Sequence, residues 1–164
     1  MIIEAFNYKT WADERTLKAI DSINKTTFSD SYVFTLQQIN HMVIVEDLFR
    51  SRLSSDPAPH KSTNSVSVPE IDELKRSLEK SREWYINYVT ALDNEIRRKV
   101  ISFKFADGQR GSMSVEEILF HIINHGSYHR GSIAHALDLA GVPHPIDGYG
   151  IYVHKEEPRR REQT

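Results

Sequence analysis

Apolar residues recur with helical spacing in four long stretches of the chain, with polar residues between them. The pattern predicts helices over about 6–23, 31–53, 70–96 and 114–140. Pro69 precedes the third stretch, whose first turn is acidic, as helix starts prefer. Ser114 and Glu117 have the spacing of a capping box at the start of the fourth stretch, which Gly141 and Pro143 end. Four helices of this kind are typical of a four-helix bundle.

Two other stretches break the helical pattern. Residues 54–69 carry three prolines among Ser, Thr and Asn, which predicts a long exposed connection. Residues 98–114, RKVISFKFADGQRGSMS, alternate in character around Asp107-Gly108, a dipeptide typical of tight turns. They predict a short β-hairpin, or only an extended flap, because the second arm is polar. The expected fold class is therefore all-α, a four-helix bundle with a short hairpin or flap before the last helix.

The chain length and apolar content fit one domain. Its 164 residues are 39% hydrophobic, which is enough to fill a single core. We expect one four-helix-bundle domain over residues 1–154 and a solvated tail over residues 155–164, which ends in the charged run EEPRRREQT.

The composition excludes several functions. Lys and Arg number 21 against 23 Asp and Glu, so the chain lacks the basic excess that nucleic-acid binding usually needs. The absence of cysteine excludes disulfides, thiolate metal sites and cysteine nucleophiles, so any metal must use His, Asp or Glu. No stretch has the apolar length of a signal peptide or a membrane span. We therefore expect a cytoplasmic protein with neither nucleic acid nor a membrane as its partner.

Three histidines stand four residues apart in HIINHGSYHRG, residues 121–131. With His121 at zero on a helical wheel, His125 lies at about 40° and His129 at about 80°, while the apolar side covers roughly 60° to 160°. His129 is therefore expected to face the core and His125 to border it. His121 lies nearer the edge, where it is expected to line the mouth of a pocket rather than bind an ion. His135, at about 320°, should face solvent or a neighbouring surface.

His41 on the second helix is also expected to point inward, because Phe34, Ile44, Val45 and Leu48 lie within about 60° of it. Imidazoles one turn apart can converge on one ion, and a facing helix of a bundle can supply a further ligand. The alternative is that each is an ordinary histidine hydrogen-bonded to a neighbour. Three imidazole ligands would leave open positions, as in catalytic sites, and would suit zinc, nickel, iron or copper.

At these residues the sequence resembles the DinB-like family, a widespread bacterial group often described with the related YfiT and bacillithiol-transferase proteins. NHGSYHRGSI, residues 124–133, is similar to the family's C-terminal NHxxYHRGQI motif, and INHMVIVEDLF, residues 39–49, to its second-helix segment. The opening FNYKTWADERTLKAI resembles the first helix of the family, with Tyr8 and Trp11 at its aromatic positions. Ser132 replaces a frequent Gln, a difference that touches no proposed ligand.

The resemblance implies a four-helix bundle that binds one divalent metal ion through His41, His125 and His129, frequently as a homodimer. Zinc or nickel is the expected ion, with iron or copper as alternatives. Some relatives transfer a low-molecular-weight thiol to an electrophile. The expected partner is therefore a small-molecule substrate, with such a thiol among the candidates.

Three hypotheses about function follow. In the first, the protein is a metal-dependent enzyme, a thiol S-transferase or hydrolase, that activates a thiol or water for attack on a small molecule. In the second, it is a non-catalytic stress-response or binding protein in which the ion only ties the second helix to the last. In the third, it is a helical protein without a metal. No catalytic residue is assigned from the sequence.

Other residues near the candidate ligands are expected to have structural roles. Arg130, at about 180° on the wheel, is expected to make a salt bridge to another helix. Gly126 and Gly131 are expected to allow close helix packing, since glycine is a weak helix former. Histidines in loops or the tail are expected to be solvated, namely His60, His144 and His154.

Overall fold

The four long helices lie close to where the hydrophobic pattern places them. The computed structural model describes residues 1–161. In chain order its elements are α1 (Ile2–Asp21), α2 (Ser29–Ser54), α3 (Ile71–Thr90), α4 (Asn94–Arg98), β1 (Val100–Lys104), β2 (Arg110–Ser114), α5 (Val115–Leu139), α6 (Tyr149–Glu156) and a 3₁₀ turn (Pro158–Arg160). The all-α prediction, with a short hairpin before the last long helix, is confirmed.

Each long helix packs on two others. Helix α5 lies against α1 and α2, and α3 contacts the same two helices. Buried side chains fill two groups along the bundle, one around Ile39, Leu74 and Ile133 and the other around Tyr85 and Ile118. Helices α2 and α5 are therefore direct neighbours, so residues on their facing sides can meet.

The predicted capping box fixes the start of α5. The Ser114 Oγ accepts a hydrogen bond from the Glu117 amide at 3.2 Å, and the Glu117 carboxylate accepts one from the Ser114 amide at 2.7 Å. At the other end Gly141 adopts a positive φ of 68°, and the Val142 amide donates to the Leu137 carbonyl at 2.9 Å. These two caps define the ends of the helix that carries His121, His125 and His129.

The hairpin before α5 is a true pair of strands rather than a loose flap. Strand β1 pairs antiparallel with β2, with Val100 opposite Ser114 and Lys104 opposite Arg110. Gly108 turns the chain with a φ of +90°, as the Asp107-Gly108 dipeptide predicts. The polar second arm pairs through its backbone, which does not depend on the apolar side chains it lacks.

The end of the chain contains a helix that the hydrophobic pattern does not predict. Helix α6 packs on α1, where the Tyr152 ring lies 5.6 Å from that of Trp11 and 6.0 Å from that of Tyr8. Its apolar residues have too short a run to show helical periodicity, so this contact stabilises it. Residues 155–161 of the expected tail are exposed, and residues 162–164 lie outside the described residues.

Two other expectations about helices are corrected. The third predicted helix ends at Thr90 rather than near residue 96, because Asp93 caps the separate helix α4 by accepting the Ile96 amide at 2.7 Å. Phe34, predicted to lie inside with His41, is 38% exposed. It lies in the second turn of α2, where the wheel angle takes no account of how far the neighbouring helices extend.

Among residues 1–161, no helix has both the length and the apolar character needed to cross a membrane.

The two glycines of α5 differ in their surroundings. A Cβ atom at Gly126 would lie 3.0 Å from Arg130 Nη1 and 3.4 Å from Lys9 Cε, whereas a Cβ at Gly131 would meet nothing within 4 Å. Close packing therefore applies to Gly126, and the same expectation for Gly131 is wrong, because its side of α5 is exposed.

Alanine substitution of the two glycines should have opposite effects on stability. Gly131→Ala should raise the free energy of unfolding by up to about 1 kcal/mol, since alanine is the better helix former. Gly126→Ala should lower it, because Arg130 is held by other contacts and cannot move aside. Urea titration of both variants measures the difference. Equal stabilisation by the two substitutions would contradict the close packing at Gly126.

Candidate metal site

Helices α2 and α5 bring three imidazoles together at their interface. The Nε2 atom of His125 lies 3.1 Å from Nε2 of His41 and 3.0 Å from Nε2 of His129. One ligand nitrogen from each residue lies within 4.8 Å of the other two. The i, i+4 spacing on α5 places His125 and His129 one turn apart, and His41 meets them from α2. All three residues proposed as ligands thus form one group.

His41 and His129, the outer two histidines on either side of His125, are oriented by hydrogen bonds from Nδ1. The His41 Nδ1–H donates to the Thr63 carbonyl at 2.8 Å, and the His129 Nδ1–H donates to Gln38 Oε1 at 2.7 Å. Both hydrogen bonds place the proton on Nδ1 and leave the Nε2 lone pair directed inward. Such partners are the usual means by which proteins orient metal-binding histidines.

The three inward nitrogens cannot satisfy one another with hydrogen bonds alone. Both outer Nε2 atoms are acceptors, so a proton on His125 Nε2 can be donated to only one of them. The other acceptor Nε2 then has no donor among the three histidines. Tetrahedral ligation with metal–nitrogen bonds of about 2.0–2.1 Å would separate the nitrogens by roughly 3.3 Å. The donor type, direction and spacing all fit one shared cation.

The surroundings keep His125 and His129 neutral, as metal ligation requires. Burial, followed by the charges of His129 and His41, lowers the pKa of His125 to about 3. Burial and His41 lower the pKa of His129 to about 4. At neutral pH both residues therefore present lone pairs.

The remaining histidines lie outside this group. His121 is half-buried, with its ring 5.4 Å from that of His125 and 4.9 Å from that of Phe49, so it lies beside the group as the wheel predicts. Burial, followed by the charge of Arg52, lowers its pKa. His135 is exposed, as predicted.

The loop and tail histidines were expected to be solvated, but two of them have carboxylate partners. His60 Nε2 lies 3.2 Å from Asp47 Oδ2, and His144 Nδ1 lies 2.7 Å from Asp138 Oδ1. His154, which is exposed, contacts the Gly150 carbonyl of its own helix.

A network of buried charges lies beside the histidines. The Lys9 ammonium is 2.7 Å from both Asp13 Oδ2 and Glu46 Oε1, and Arg130 Nη1 is 2.7 Å from Asp13 Oδ1. Arg130 Nε also lies 2.8 Å from Asp147 Oδ2. The expected salt bridge of Arg130 to another helix is confirmed, although Arg130 is only 2% exposed. The network joins α1, α2, α5 and the segment after α5.

Burial and ion pairing act in opposite directions on these groups. Burial would lower the pKa of Lys9, but the charges of Asp13 and Glu46 outweigh it and raise that pKa. Burial likewise opposes ionisation of Asp13, yet Lys9 and Arg130 lower its pKa. For Glu46 burial dominates and raises the pKa, although Lys9 and the Ser81 hydroxyl bind its carboxylate.

An open cleft of about 430 Å³ adjoins the histidine group. His41 and His129 form part of its wall, together with Gln38 and the Asn64–Val66 part of the connection between α2 and α3. This volume is within the range of small-molecule sites. A substrate entering the cleft would meet uncharged polar groups beside the imidazoles.

Comparison with known proteins agrees with this geometry. The sequence model of the DinB family matches residues 1–161. The chain belongs to the DinB family. It is 24% identical to Protein DinB of Bacillus subtilis strain 168 over 158 residues, which cover 90% of this chain and 91% of that protein. No solved structure gives a significant match. The resemblance drawn from the histidine motifs is thereby confirmed, and it extends over residues 1–161 of this chain.

Several residues that shape the site were not predicted from the sequence, although some of them carry a signal in it. Thr63 acts through its backbone carbonyl, which any residue would provide, so no sequence signal marks it. Gln38 lies three residues before His41 and could have been proposed from that spacing on one helix face. Lys9 and Asp13 are four residues apart on α1, and Glu46 interrupts the apolar run MVIVEDLF, so these charges did carry a signal.

The stability of the metal-free protein should fall as the pH drops from about 6.5 to about 4. In the unfolded chain His125 and His129 take up protons near their ordinary pKa of about 6.5. In the folded chain they do so only near pKa values of about 3 for His125 and about 4 for His129, so protons favour the unfolded state across this interval. Urea titrations in the presence of a chelator measure the slope. His125→Gln/His129→Gln should flatten it, and an unchanged slope would refute the assignment.

Proposed function

We propose that this DinB-family protein binds one divalent metal ion through Nε2 of His41, His125 and His129 and uses it to activate a small molecule. The observation that carries the proposal is the convergence of three imidazole Nε2 atoms, two of which, in His41 and His129, are directed inward by hydrogen bonds from Nδ1. Zinc or nickel is the proposed ion, with iron or copper as alternatives, because imidazole suits all four. The proposed set of metal ligands contains three histidines and no carboxylate.

The reaction class follows from the number of ligands. Three protein ligands would leave coordination positions free for a small molecule, as in catalytic rather than structural metal sites. A divalent ion bound here would acidify a thiol or water molecule and so supply a nucleophile at neutral pH. We therefore propose transfer of a thiol to an electrophile, or hydrolysis, with a small molecule as substrate.

His121 is the proposed proton acceptor. Its ring lies beside that of His125, and its lowered pKa keeps it neutral. It makes no hydrogen bond to any residue in 1–161 that would occupy its ring nitrogens. The proton released by the thiol or water can pass to one of these nitrogens. His41 and His129 keep their positions as ligands through their Nδ1 hydrogen bonds.

Removing any proposed ligand should abolish stoichiometric metal binding. Substituting one outer partner of a metal-binding histidine typically costs about 10–100-fold in affinity, and loss of a ligand should cost more. Elemental analysis of His41→Ala, His125→Ala and His129→Ala after metal loading tests this. His135→Ala is the matched control, since that histidine is on the exposed side of α5. Full metal content in all three ligand variants would refute the proposed metal site.

Catalysis is tested separately from binding. Metal-loaded protein is incubated with bacillithiol, glutathione or coenzyme A and a model electrophile, and thiol consumption is followed against the His129→Ala variant. His121→Gln should retain the metal but lose about 10²–10⁴-fold in rate, the usual contribution of a positioned acid or base. No turnover above the His129→Ala background, together with strong destabilisation by chelator, would favour an ion that only ties α2 to α5.

A further inference from the structure

The cleft beside the histidine group has a polar but uncharged lining. His41 and His129 are themselves part of its wall, so a molecule in the cleft touches two of the proposed ligands. Four carboxamide side chains also line it, those of Gln37, Gln38, Asn40 and Asn64. Within residues 1–161, no Asp, Glu, Lys or Arg contributes to this wall. A charged group that left water for the cleft would find no opposite charge among these side chains, so the lining favours an uncharged polar group.

The Gln38 carboxamide uses only one of its two ends within the protein. Its Oε1 accepts the hydrogen bond from His129 Nδ1–H at 2.7 Å. Because His129 must keep its proton on Nδ1 for Nε2 to bind an ion, the carboxamide cannot turn over without losing this bond. Gln38 Nε2 has no hydrogen-bond partner in residues 1–161 and is accessible to solvent. Gln38 therefore provides the cleft with a donor whose position is fixed.

The Asn40 carboxamide has the opposite arrangement. Its Nδ2 donates to Ser65 Oγ at 2.7 Å, and the Ser65 hydroxyl donates in turn to the Ser67 carbonyl at 2.6 Å. Since the Ser65 proton is already used, its oxygen can only accept, and this fixes the NH₂ end of Asn40 toward it. Asn40 Oδ1 has no donor in residues 1–161 and is accessible to solvent, although Asn40 as a whole is only 7% exposed. Asn40 therefore provides the cleft with an acceptor whose position is fixed.

We propose that the cleft binds an amide-bearing substrate, with an amide carbonyl on Gln38 Nε2 and an amide N–H on Asn40 Oδ1. This assignment rests on the proposed function and names its substrate class, a thiol or electrophile that carries an uncharged, peptide-type amide. A secondary amide has one donor and one acceptor, which are the partners that the two unused carboxamide ends require. Because both side chains are already held by other hydrogen bonds, little of their freedom is lost on binding.

A purely structural role for both residues makes a different claim. Gln38 would then only orient His129, and Asn40 would only hold the connection between α2 and α3. Substitution would lower metal affinity or stability and would affect all ligands of one length equally. Ratios of affinity measured within one variant separate the two roles, since any change in metal or thiolate binding cancels in such a ratio.

The probe is a set of linear thiols bound to the cobalt-loaded protein. N-methyl amides of ω-mercaptoalkanoic acids are compared with the methyl esters, which lack the N–H, and with alkanethiols of the same length, which also lack the carbonyl. The spacer is varied, and it is always too long for sulfur and carbonyl to close a small chelate ring on the ion. The thiolate-to-cobalt absorption band reports each affinity. At the best length, the amide should bind about threefold to tenfold tighter than the ester, as one hydrogen bond predicts.

The variants assign the two contacts. Gln38→Glu keeps the acceptor for His129 Nδ1–H but removes the donor, so amide and ester should lose about threefold to tenfold in affinity relative to the alkanethiol. Asn40→Ala removes the acceptor and should erase the advantage of the amide over the ester. Asn87→Ala, which removes an exposed carboxamide of α3 outside the cleft, should behave as the unaltered protein. If melting curves show that Asn40→Ala fails to fold, the comparison of amide with ester in the unaltered protein decides.

A second measurement needs neither metal nor variant. In heteronuclear NMR spectra of the metal-free protein, added N-methylacetamide should shift the side-chain NH₂ signals of Gln38. The shift should exceed that of the same signals of Gln109, an exposed glutamine of the hairpin turn. This readout decides the Gln38 contact if Gln38→Glu fails to fold.

Two outcomes of the thiol series overturn the inference. One is an equal affinity of amide and ester at every chain length, and the other is a set of affinity ratios that neither substitution changes. If no thiol gives an absorption band, the open metal position of the proposed function is refuted instead. The NMR titration then decides the amide site by itself, and equal shifts of the Gln38 and Gln109 signals would overturn it.

Discussion

The ion pairs among Lys9, Asp13, Glu46 and Arg130 fix the relative positions of the helices that carry the histidines. They connect α1 to α2 and to α5 inside the bundle, where unpaired charge is costly. Apolar packing alone tolerates small shifts of one helix along another, but these bonds are directional. Arg130 directly follows His129, and the Lys9 side chain passes beside Gly126, which directly follows His125. A shift of α5 would therefore break the network as it moved the imidazoles.

The histidine group and the neighbouring Arg52 differ in their electrostatics. Burial, followed by the charges of neighbouring histidines, keeps His125 and His129 uncharged, so their lone pairs suit a cation. At Arg52 the charge is permanent, because guanidinium stays protonated across the range in which proteins fold. Burial and the charge of Arg52 both lower the pKa of His121, which lies beside the group.

Local patterns predicted most of the fold because each long helix has its own apolar side and its own end signals. The Ser114 and Glu117 pair and the Asp107-Gly108 turn involve residues close in sequence, so both could be predicted. Helix α6 depends on aromatic contacts with α1, and the wheel missed the exposure of Phe34. Such features depend on contacts between distant parts of the chain, which a single sequence does not display.

The site was predictable to the extent that helical geometry determines it. The inward direction of His41, His125 and His129 followed from their angles on two wheels, and the resemblance to the family implied that they are metal ligands, which stays a prediction. The burial of Arg130 did not follow, since α1 and the segment with Asp147 cover a side of α5 that the wheel leaves open.

The hydrogen bond from His41 to Thr63 places an unusual constraint on the connection between α2 and α3. Its acceptor is a main-chain oxygen, so exchanging the side chain at position 63 leaves the acceptor in place. An insertion or deletion between residues 55 and 70 would instead carry that oxygen away from the imidazole. The connection therefore acts on the site through the path of its backbone, and not through the side chain at position 63.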